Sequence, residues 1–593
     1  AASAAALRPR FAGMSVRFGG PSVAFEEINH RTSTDLRDAE ILAFPLLLLL
    51  SLWVFRGLIA AALPLLVGGF AIVLTFLILR LIDQVLGLSI FAVNLVTGMG
   101  LGLGIDYSLF VLSRYREELA GGLDTRAAIA RTLQTAGRTV LYSSLTVAAA
   151  LTCLLVFPIR FLYSMGIGGA AVALCDGAVA LIVLPALLLV LDKRIDALSP
   201  AWLKRRGKRT ATADKDGGWW KLAHGVMRHP GAVALGSAVV LLAAAAPALA
   251  LKFTVPSANL LPLSAPSRQV EDTLASDFPT NPAEITSIVL EGSRARSRTL
   301  ALLAAKEAQG AAVLSPPRYL GRKTWEIDLL PHGSPFAAAQ QRLIERLRAS
   351  VRRYGATVGG EGAFFVDQKA AIASHFGLAL VILALLTAAF LFALTGSVAI
   401  PVKAFVMNLL TASIGAGLLV LIFQDGALHS LLGFTPIGGL EESSLVLMFV
   451  IAFALSTDYE VFVLGRIKEA RDRGLPNREA VAVGLERTGR LVTAAALLFC
   501  VAVGALASSD LFFTKQFGLG TALAVAIDAS IVRALLVPSL MALLGEWNWW
   551  APRALRRLHG RIGLSESAPG RAGPAQADLS DGRDPAVSEA LRS

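Results

Sequence analysis

The feature that most constrains this chain is a series of long apolar runs. A membrane-spanning helix needs about 20 mainly apolar residues, and eleven runs meet this requirement. They fall at 38–56, 58–80, 90–113, 139–157, 163–191, 231–251, 376–394, 399–423, 444–465, 490–509 and 515–543. The runs predict an α-helical polytopic membrane protein. Only 17% of the residues are charged, against about 25% in soluble domains, which excludes a single soluble domain or a disordered chain.

Basic residues predict the sidedness of these spans. Lysine and arginine gather in the linker 192–230, in the loops 114–138 and 466–489, and in the tail 544–593. Such an excess is typical of cytoplasmic loops, and nucleic-acid binding is the poorer interpretation of the net charge of +12. We therefore expect these four segments in the cytoplasm, with the tail largely disordered, and 252–370 outside the plasma membrane.

The stretch 252–370 is polar and punctuated by proline, unlike the rest of the chain. Ser334 and Pro335 are a cap and a first-turn proline, which favour the start of a helix. The pattern predicts the order βαββαβ, with elements at 285–291, 298–309, 311–315, 324–330, 335–352 and 356–359. This is the order of a split βαβ, ferredoxin-like domain, so we expect an external α/β domain between span 231–251 and the next span.

The chain also contains an internal repeat. The sequence GIDYSLFVLSR at 104–114 recurs as STDYEVFVLGR at 456–466, which lies 352 residues further on. We therefore predict two parallel halves, each with an external domain followed by five spans, at 38–191 and 371–543. Parallel repeats are common in transporters, whose coupling sites lie between the repeats.

The first half is incomplete in this sequence. The chain opens with Ala-Ala-Ser rather than Met, and residues 1–37 have room only for the end of a first external domain. The counterpart of span 231–251 and most of that domain would precede residue 1. We therefore expect the chain to be the C-terminal part of a longer protein.

Two carboxyl groups lie inside predicted spans at equivalent repeat positions, Asp106 and Asp458. A charged side chain there is costly and indicates function by default. Carboxyl groups in apolar surroundings favour their protonated form, so such a group can bind a proton from one side and release it to the other. The adjacent Tyr107 and Tyr459 either donate a hydrogen bond to the opposing carboxyl group or simply pack.

The other polar residues in the spans are interpreted as structural, except that two serines could also belong to a proton path. Ser143 and Ser144 either extend a proton path or bond their own backbone. Asp528 and Arg533, five residues apart, predict a structural ion pair. Asp176 matches Asp528 in the repeat but has no matching arginine, and we expect it to be a polar anchor on the cytoplasmic side.

The sequence offers no residues for a metal, a cofactor or catalysis. Cys153, Cys175 and Cys500 lie within apolar runs and form neither a disulfide framework nor a metal-ligand set. A Walker lysine motif, an HExxH motif and a GxSxG elbow are absent from the sequence. We therefore expect no enzymatic activity, no cofactor and no metal, with protons as the coupling ion.

The motifs GIDYSLFVLSRYREE at 104–118, STDYEVFVLGRIKEA at 456–470 and IDASIVRALLVP from 527 resemble those of the MMPL (mycobacterial membrane protein large) family of the RND transporter superfamily. The resemblance covers essentially the whole chain. It implies an RND-type fold with external porter domains, and export of lipids, glycolipids or similar hydrophobic molecules driven by the proton-motive force. It also implies that Asp106, Tyr107, Asp458 and Tyr459 form a proton relay, with Ser143 beside it.

Two alternatives to lipid export remain open. In the first alternative, the chain exports a small hydrophobic drug or secondary metabolite. In the second, it is a scaffold or sensor of RND ancestry that transports nothing. Two intact Asp-Tyr pairs argue against the scaffold, which has no need of titratable groups in the membrane. The expected partners are the bilayer and a lipid or hydrophobic small molecule, without nucleic acid. A homo-oligomer and accessory proteins of the cell envelope are also open.

Overall fold

The structure, a computed structural model, describes residues 16–196, 217–254, 260–277, 285–332 and 336–562. Within these ranges eleven helices are long and apolar enough to cross a membrane. They are α1 (Ser22–Phe55), α2 (Leu58–Leu86), α3 (Ala92–Ala120), α4 (Thr125–Val156), α5 (Arg160–Leu191), α6 (Pro230–Ala250), α7 (Glu361–Thr395), α8 (Ala399–Gln424), α9 (Glu442–Asp472), α10 (Asn477–Ser508) and α11 (Phe512–Trp549). Each predicted apolar run falls on one of these helices, so the prediction of eleven spans is confirmed.

The first helix of each half, α1 or α7, begins well before its apolar run. Residues 22–37 are helical and continuous with α1, so the domain boundary predicted at residue 37 falls within a helix. Both helices start directly after a glycine with positive φ, Gly20 at 99° and Gly360 at 104°. That backbone conformation favours glycine, which explains why a Gly-Gly pair precedes the first span of each half.

The two halves pack against each other through their central helices. α3 packs against α2 and α5 of its own half and against α10 of the other, while α9 packs against α8, α10 and α4. Phe110 and Phe462, equivalent residues in the repeat, stack with ring centroids 3.6 Å apart and planes 6° from parallel. Equivalent faces of α3 and α9 therefore meet at the centre of the bundle, as two parallel repeats require.

The segment between α6 and α7 forms an α/β domain. Its strands are β1 (Phe253–Thr254), β2 (Thr286–Glu291), β3 (Ala312–Leu314), β4 (Arg318–Gly321), β5 (Thr324–Pro331) and β6 (Thr357–Gly360). The sheet order is β3-β5-β2-β6, with β4 paired to β5 and every pair antiparallel. This order confirms the split βαβ arrangement. The sequence analysis missed β4, which turns into β5 through Gly321, Arg322 and Lys323, all with positive φ.

Three helices accompany this sheet, Pro266–Asp277, Arg294–Ala308 and Ala338–Val351. The last two cover one face of the sheet, where Leu300 and Leu347 pack against Ile288 and Ile327. Ser334 and Pro335, predicted to start the last of these helices, lie outside the described residues. β1 does not belong to this sheet; it pairs in parallel with β7 (Leu440–Glu441), which leads directly into α9.

Short helices also occur at Gly218–Arg228, at His429–Leu432 and at Arg553–Ile562. The prediction of a largely disordered tail is therefore wrong for its first part, and residues 563–593 lie outside the described ranges. The helix Arg553–Ile562 is held by His559, whose ring packs edge-on against Phe392 of α7 at 5.8 Å. This contact joins the basic segment to the first helix of the second half.

Candidate functional site

The predicted relay residues meet at the centre of the bundle. Asp106 on α3 and Asp458 on α9 are completely buried. The Tyr459 hydroxyl donates a hydrogen bond to Asp106 Oδ2 at 2.5 Å, and the Ser143 hydroxyl of α4 donates to Asp458 Oδ1. Each carboxyl group thus belongs to one half and takes its donor from the other half. The two bonds link the halves to each other through groups that can gain or lose protons.

The two Asp-Tyr pairs do not form a symmetric cross-brace, in which each tyrosine would bond the opposing carboxyl group. The Tyr107 hydroxyl interacts with the Ser143 hydroxyl instead. Among the described residues, Asp458 Oδ2 and Asp106 Oδ1 have no hydrogen-bond partner. Of the two interpretations that the sequence left open, a hydrogen bond to the opposing carboxyl group fits Tyr459 and does not fit Tyr107. Ser143 occupies the donor position at Asp458 instead. The second half cannot repeat this contact, because Ala495 stands at the position of Ser143 in the repeat.

The two serines of α4 differ in what they contact. Ser143 bonds the relay carboxyl group of Asp458 across the interface between the halves. Ser144 donates to the backbone oxygen of Leu141 at 3.0 Å and lies against Gly177 of α5, where an added Cβ would be 2.5 Å from its Oγ. Of the two interpretations that the sequence left open, the first fits Ser143 and the second fits Ser144.

Asp528 and Arg533 form the ion pair that the sequence predicted. Arg533 Nη2 lies 2.5 Å from Asp528 Oδ2, and both side chains are buried. Residues five apart do not face each other on an ordinary α-helix, where neighbours are three or four apart. Here α11 is a π-helix over Asp528–Leu536, whose hydrogen bonds join residues five apart. The π-helical segment therefore makes the ion pair possible.

The ion pair is connected to the relay through α9. The Ser456 hydroxyl lies 2.6 Å from Asp528 Oδ1 and 2.7 Å from Asn408 Oδ1, and Arg533 Nη2 donates to the Ser456 backbone oxygen at 2.8 Å. The Arg533 guanidinium also stands 4.9 Å from the ring centroid of Tyr459, within the usual range of a cation–π contact. The second half therefore positions the tyrosine that donates to Asp106.

Sequence reasoning missed two buried charged residues near this network, Lys403 on α8 and Glu460 on α9. Their side chains interact electrostatically, yet among the described residues neither Lys403 Nζ nor the Glu460 carboxylate oxygens have a hydrogen-bond partner. The signal was present in the sequence, because any ionisable residue inside a span indicates function by default. Glu460 directly follows Tyr459 in the recurring motif.

Asp176 is not the cytoplasmic-side anchor that we expected. It lies at the middle of α5 and is completely buried. A Cβ on Gly104 of α3 would be 3.0 Å from Asp176 Oδ1, which places Asp176 against the helix that carries Asp106. The expectation failed because the sequence gives the depth of a residue along a helix only roughly and does not give its neighbours.

A cavity of about 960 Å³ opens at the end of the bundle that faces the α/β domain. Its walls come from both halves and are mainly apolar, with Phe91, Phe161 and Phe513 packed edge to face at 5.4–5.9 Å. Glu361 and Gln368 at the start of α7 add polar groups. This size and lining fit a hydrophobic ligand that also has a polar part.

Known proteins of similar sequence are membrane proteins and lipid exporters. A Streptomyces coelicolor membrane protein, SCO6666, is 39% identical, with 93% of this chain and 76% of that protein covered. The trehalose monomycolate exporter MmpL3 of Mycobacterium tuberculosis is 35% identical, with 94% of this chain and 63% of the exporter covered. The mycolic acid-containing lipids exporter MmpL11 of Mycolicibacterium smegmatis is 31% identical, with 91% of this chain and 58% of the exporter covered. The chain thus spans about 60% of the length of these two exporters.

Solved structures show the same fold at low sequence identity. The hedgehog release protein Disp from the water bear Hypsibius dujardini matches with a TM-score of 0.62 and 15% identity, over 86% of this chain and 70% of that one. SecDF, a translocon-associated membrane protein from Thermus thermophilus, matches with a TM-score of 0.53 and 17% identity, over 86% of this chain and 62% of that one. The MMPL family model matches residues 1–233 and 322–565, and this multi-pass membrane protein therefore belongs to the MMPL family.

Proposed function

We propose that this chain is the larger part of a proton-coupled exporter of lipids, glycolipids or similar hydrophobic molecules across the plasma membrane. The observation that carries the proposal is the pair of buried carboxyl groups, Asp106 and Asp458, each bonded to a donor from the other half. Relatives named as exporters of trehalose monomycolate and of mycolic acid-containing lipids support the substrate class.

The geometry suggests how protons act on the two halves. When Asp106 and Asp458 are both ionised, two negative charges lie in an apolar interior and repel each other, while each accepts a hydrogen bond across the interface. Binding a proton removes that repulsion and weakens the charge-assisted bond, because an ionised acceptor binds a donor more strongly than a neutral one. The preferred arrangement of α3 relative to α9 therefore changes with protonation.

The available energy is sufficient for such a change. One charge that crosses about 100 mV of membrane potential releases about 2.3 kcal/mol. Since about 1.4 kcal/mol corresponds to a factor of ten, one proton biases a two-state arrangement roughly 50-fold. The cavity at the end of the bundle that faces the α/β domain is lined by the same two halves, so we propose that their movement changes its shape and expels the substrate.

The proposed orientation places the α/β domain outside the membrane and the linker 192–230 and tail 544–593 in the cytoplasm. Exposed residues on each side allow a test by cysteine labelling. Ala295→Cys in the α/β domain should react with a membrane-impermeant maleimide in intact cells, whereas Ala120→Cys after α3 should react only after permeabilisation. The reverse pattern would invert the topology. The unsubstituted protein, with Cys153 and Cys175 buried, is the control.

The function is tested by Asp106→Asn and Asp458→Asn in the full-length protein in cells. Asparagine keeps the shape of aspartate but carries no proton, so both variants should reach the membrane in normal amounts and export no lipid. Wild-type export by both variants would refute proton coupling through this pair and favour the non-transporting scaffold. Competition between a two-chain lipid and a small hydrophobic dye separates the lipid exporter from the exporter of small compounds.

A further inference from the structure

Another buried carboxyl group of the bundle, Asp176, has no part in the relay described above. Among the described residues, neither of its carboxyl oxygens has a hydrogen-bond partner, and no lysine, arginine or histidine forms an ion pair with it. The residue is completely buried at the middle of α5. Buried polar groups are nearly always bonded, so this one requires an explanation.

The repeat shows what Asp176 lacks. Its equivalent, Asp528, is bonded by Arg533 and by the Ser456 hydroxyl. At the positions equivalent to those two partners, the first half has Leu181 and Gly104. The same carboxyl group is therefore present in both halves, but in the first half both of its main partners are replaced by residues that offer neither a charge nor a side-chain donor.

The groups that face Asp176 include no cation that would stabilise an ionised carboxylate. α3 contributes Asp106 and Tyr107, which both interact with Asp176 electrostatically. α5 itself contributes the adjacent Cys175. α4 contributes the hydroxyl of Ser144 beside Gly177, and α2 contributes Thr75 beside Cys175.

A carboxylate without a partner in such surroundings carries the full cost of desolvation, and proteins avoid it by binding a proton. In the arrangement that the structure shows, Asp176 therefore holds a proton, at a position within electrostatic range of Asp106. Gly104 is what lets the Asp176 carboxyl group approach α3, because a side chain there would meet it. The site thus combines a bound proton with an acceptor carboxyl group within electrostatic range.

We propose that Asp176 is a third proton-binding site, which passes its proton to Asp106 and takes up another as the two halves move. The proposal rests on the proton-coupled export described above. In this step the O–H bond of the Asp176 carboxyl group breaks and one forms on the Asp106 carboxylate. Charge is conserved and no further reactant takes part. The proton path then runs through the first half, along α5 and α3, and reaches α9 at the relay.

Infrared spectroscopy of the full-length protein in lipid nanodiscs tests this site without any transport assay. Difference spectra between low and high pH show the carbonyl stretch of each carboxyl group that loses its proton. Asp176→Asn should remove one protonated-carboxyl band, and Asp106→Asn should remove a different one. Spectra of Asp176→Asn that match the wild type would overturn the proposal.

Export in cells provides the second measurement. Asp176→Asn should lose export at normal membrane level, because the change leaves no cation without its partner, and Asp176→Glu should retain part of it. If Asp176→Asn exports at the wild-type rate while Asp106→Asn is inactive, the third site is refuted and the proposed function stands. If Asp106→Asn and Asp458→Asn both export normally, the proposed function fails and this inference fails with it.

Discussion

The two halves of the bundle share one template but treat its buried charges differently. In the second half, Asp528 is bonded by Arg533, Ser456 and Thr411, and Arg533 also packs over Tyr459. In the first half, Asp176 occupies the same repeat position without a partner among the described residues. The relay pair has the same kind of asymmetry, because Tyr459 bonds the carboxyl group of Asp106 while Tyr107 interacts with the hydroxyl of Ser143.

This difference suggests a division of labour between the halves. A carboxyl group that is bonded to an arginine and to hydroxyl groups is suited to hold neighbouring side chains in place. A carboxyl group without a partner is suited to exchange protons. The second half therefore acts mainly as the scaffold that positions Tyr459, and the first half carries more of the groups that change protonation. Substitutions can test this difference in two ways: they give one half a residue that the other half has, or they remove a contact that both halves share.

The largest effect is expected from Arg533→Leu, which gives the second half the residue that the first half has at this position. Asp528 then stays buried without its cation, and removing one partner of a buried ion pair costs roughly 3–5 kcal/mol. The variant should unfold at a clearly lower temperature in detergent and reach the membrane in smaller amounts. Adding Asp528→Asn should restore much of the stability.

Asp176→Asn is the matched control for that experiment, since it changes the equivalent carboxyl group without leaving a cation unpaired. Its thermal unfolding should match the wild type. If Arg533→Leu were as stable as the wild type, or if Asp176→Asn were equally destabilised, the contrast between a paired and an unpaired carboxyl group would be lost.

A smaller effect is expected from the two tyrosines. Tyr459→Phe removes the donor to Asp106 and leaves a buried acceptor unsatisfied, which costs roughly 1–3 kcal/mol. Tyr107→Phe removes a hydroxyl that interacts with the Ser143 hydroxyl but bonds neither relay carboxyl group, so its loss in free energy of unfolding should be smaller. The two values are read from denaturant unfolding of the purified protein. Equal losses would mean that the cross-brace is symmetric after all.

The smallest effect concerns the one contact that both halves share equally, the stack of Phe110 on Phe462. Aromatic pairs contribute about 0.5–1.5 kcal/mol beyond the area that they bury. A double-mutant cycle with Phe110→Leu and Phe462→Leu should give a coupling energy in that range, with nearly equal losses from the single variants. A coupling energy near zero would indicate that α3 and α9 do not meet as the repeat requires.

The sequence predicted the elements of this structure better than their contacts. Apolar length was sufficient to find all eleven spans, and the recurring motif identified Asp106, Asp458 and their tyrosines. The sequence also placed Asp528 and Arg533 in one pair, although the spacing alone does not show that a π-helical segment brings them together. These results share a cause, because each depends on residues within one helix.

The features that were missed depend on how helices are rotated against each other. Tyr107 and Tyr459 are equivalent in sequence, and only the packing of the halves shows that one of them bonds a relay carboxyl group. Asp176 and Glu460 stood in the sequence as charged residues within spans, but their neighbours are on other helices. Lys403 was missed for a similar reason. It lies in α8, and the corresponding helix of the first half, α2, has no basic residue before Arg80, so the repeat did not point to it.

The central claim is that protons bound at Asp106 and Asp458 drive lipid export, and proteoliposomes test it most directly. The full-length protein is reconstituted with a labelled lipid substrate and a pH-sensitive dye, and a pH gradient is imposed. The wild type should move lipid faster with the gradient than without it, and should move protons only when lipid is present. Asp106→Asn and Asp458→Asn should do neither. The claim would be contradicted if the rate of lipid transport by the wild type did not depend on the pH gradient. It would also be contradicted if the variant with both substitutions still coupled lipid transport to proton movement.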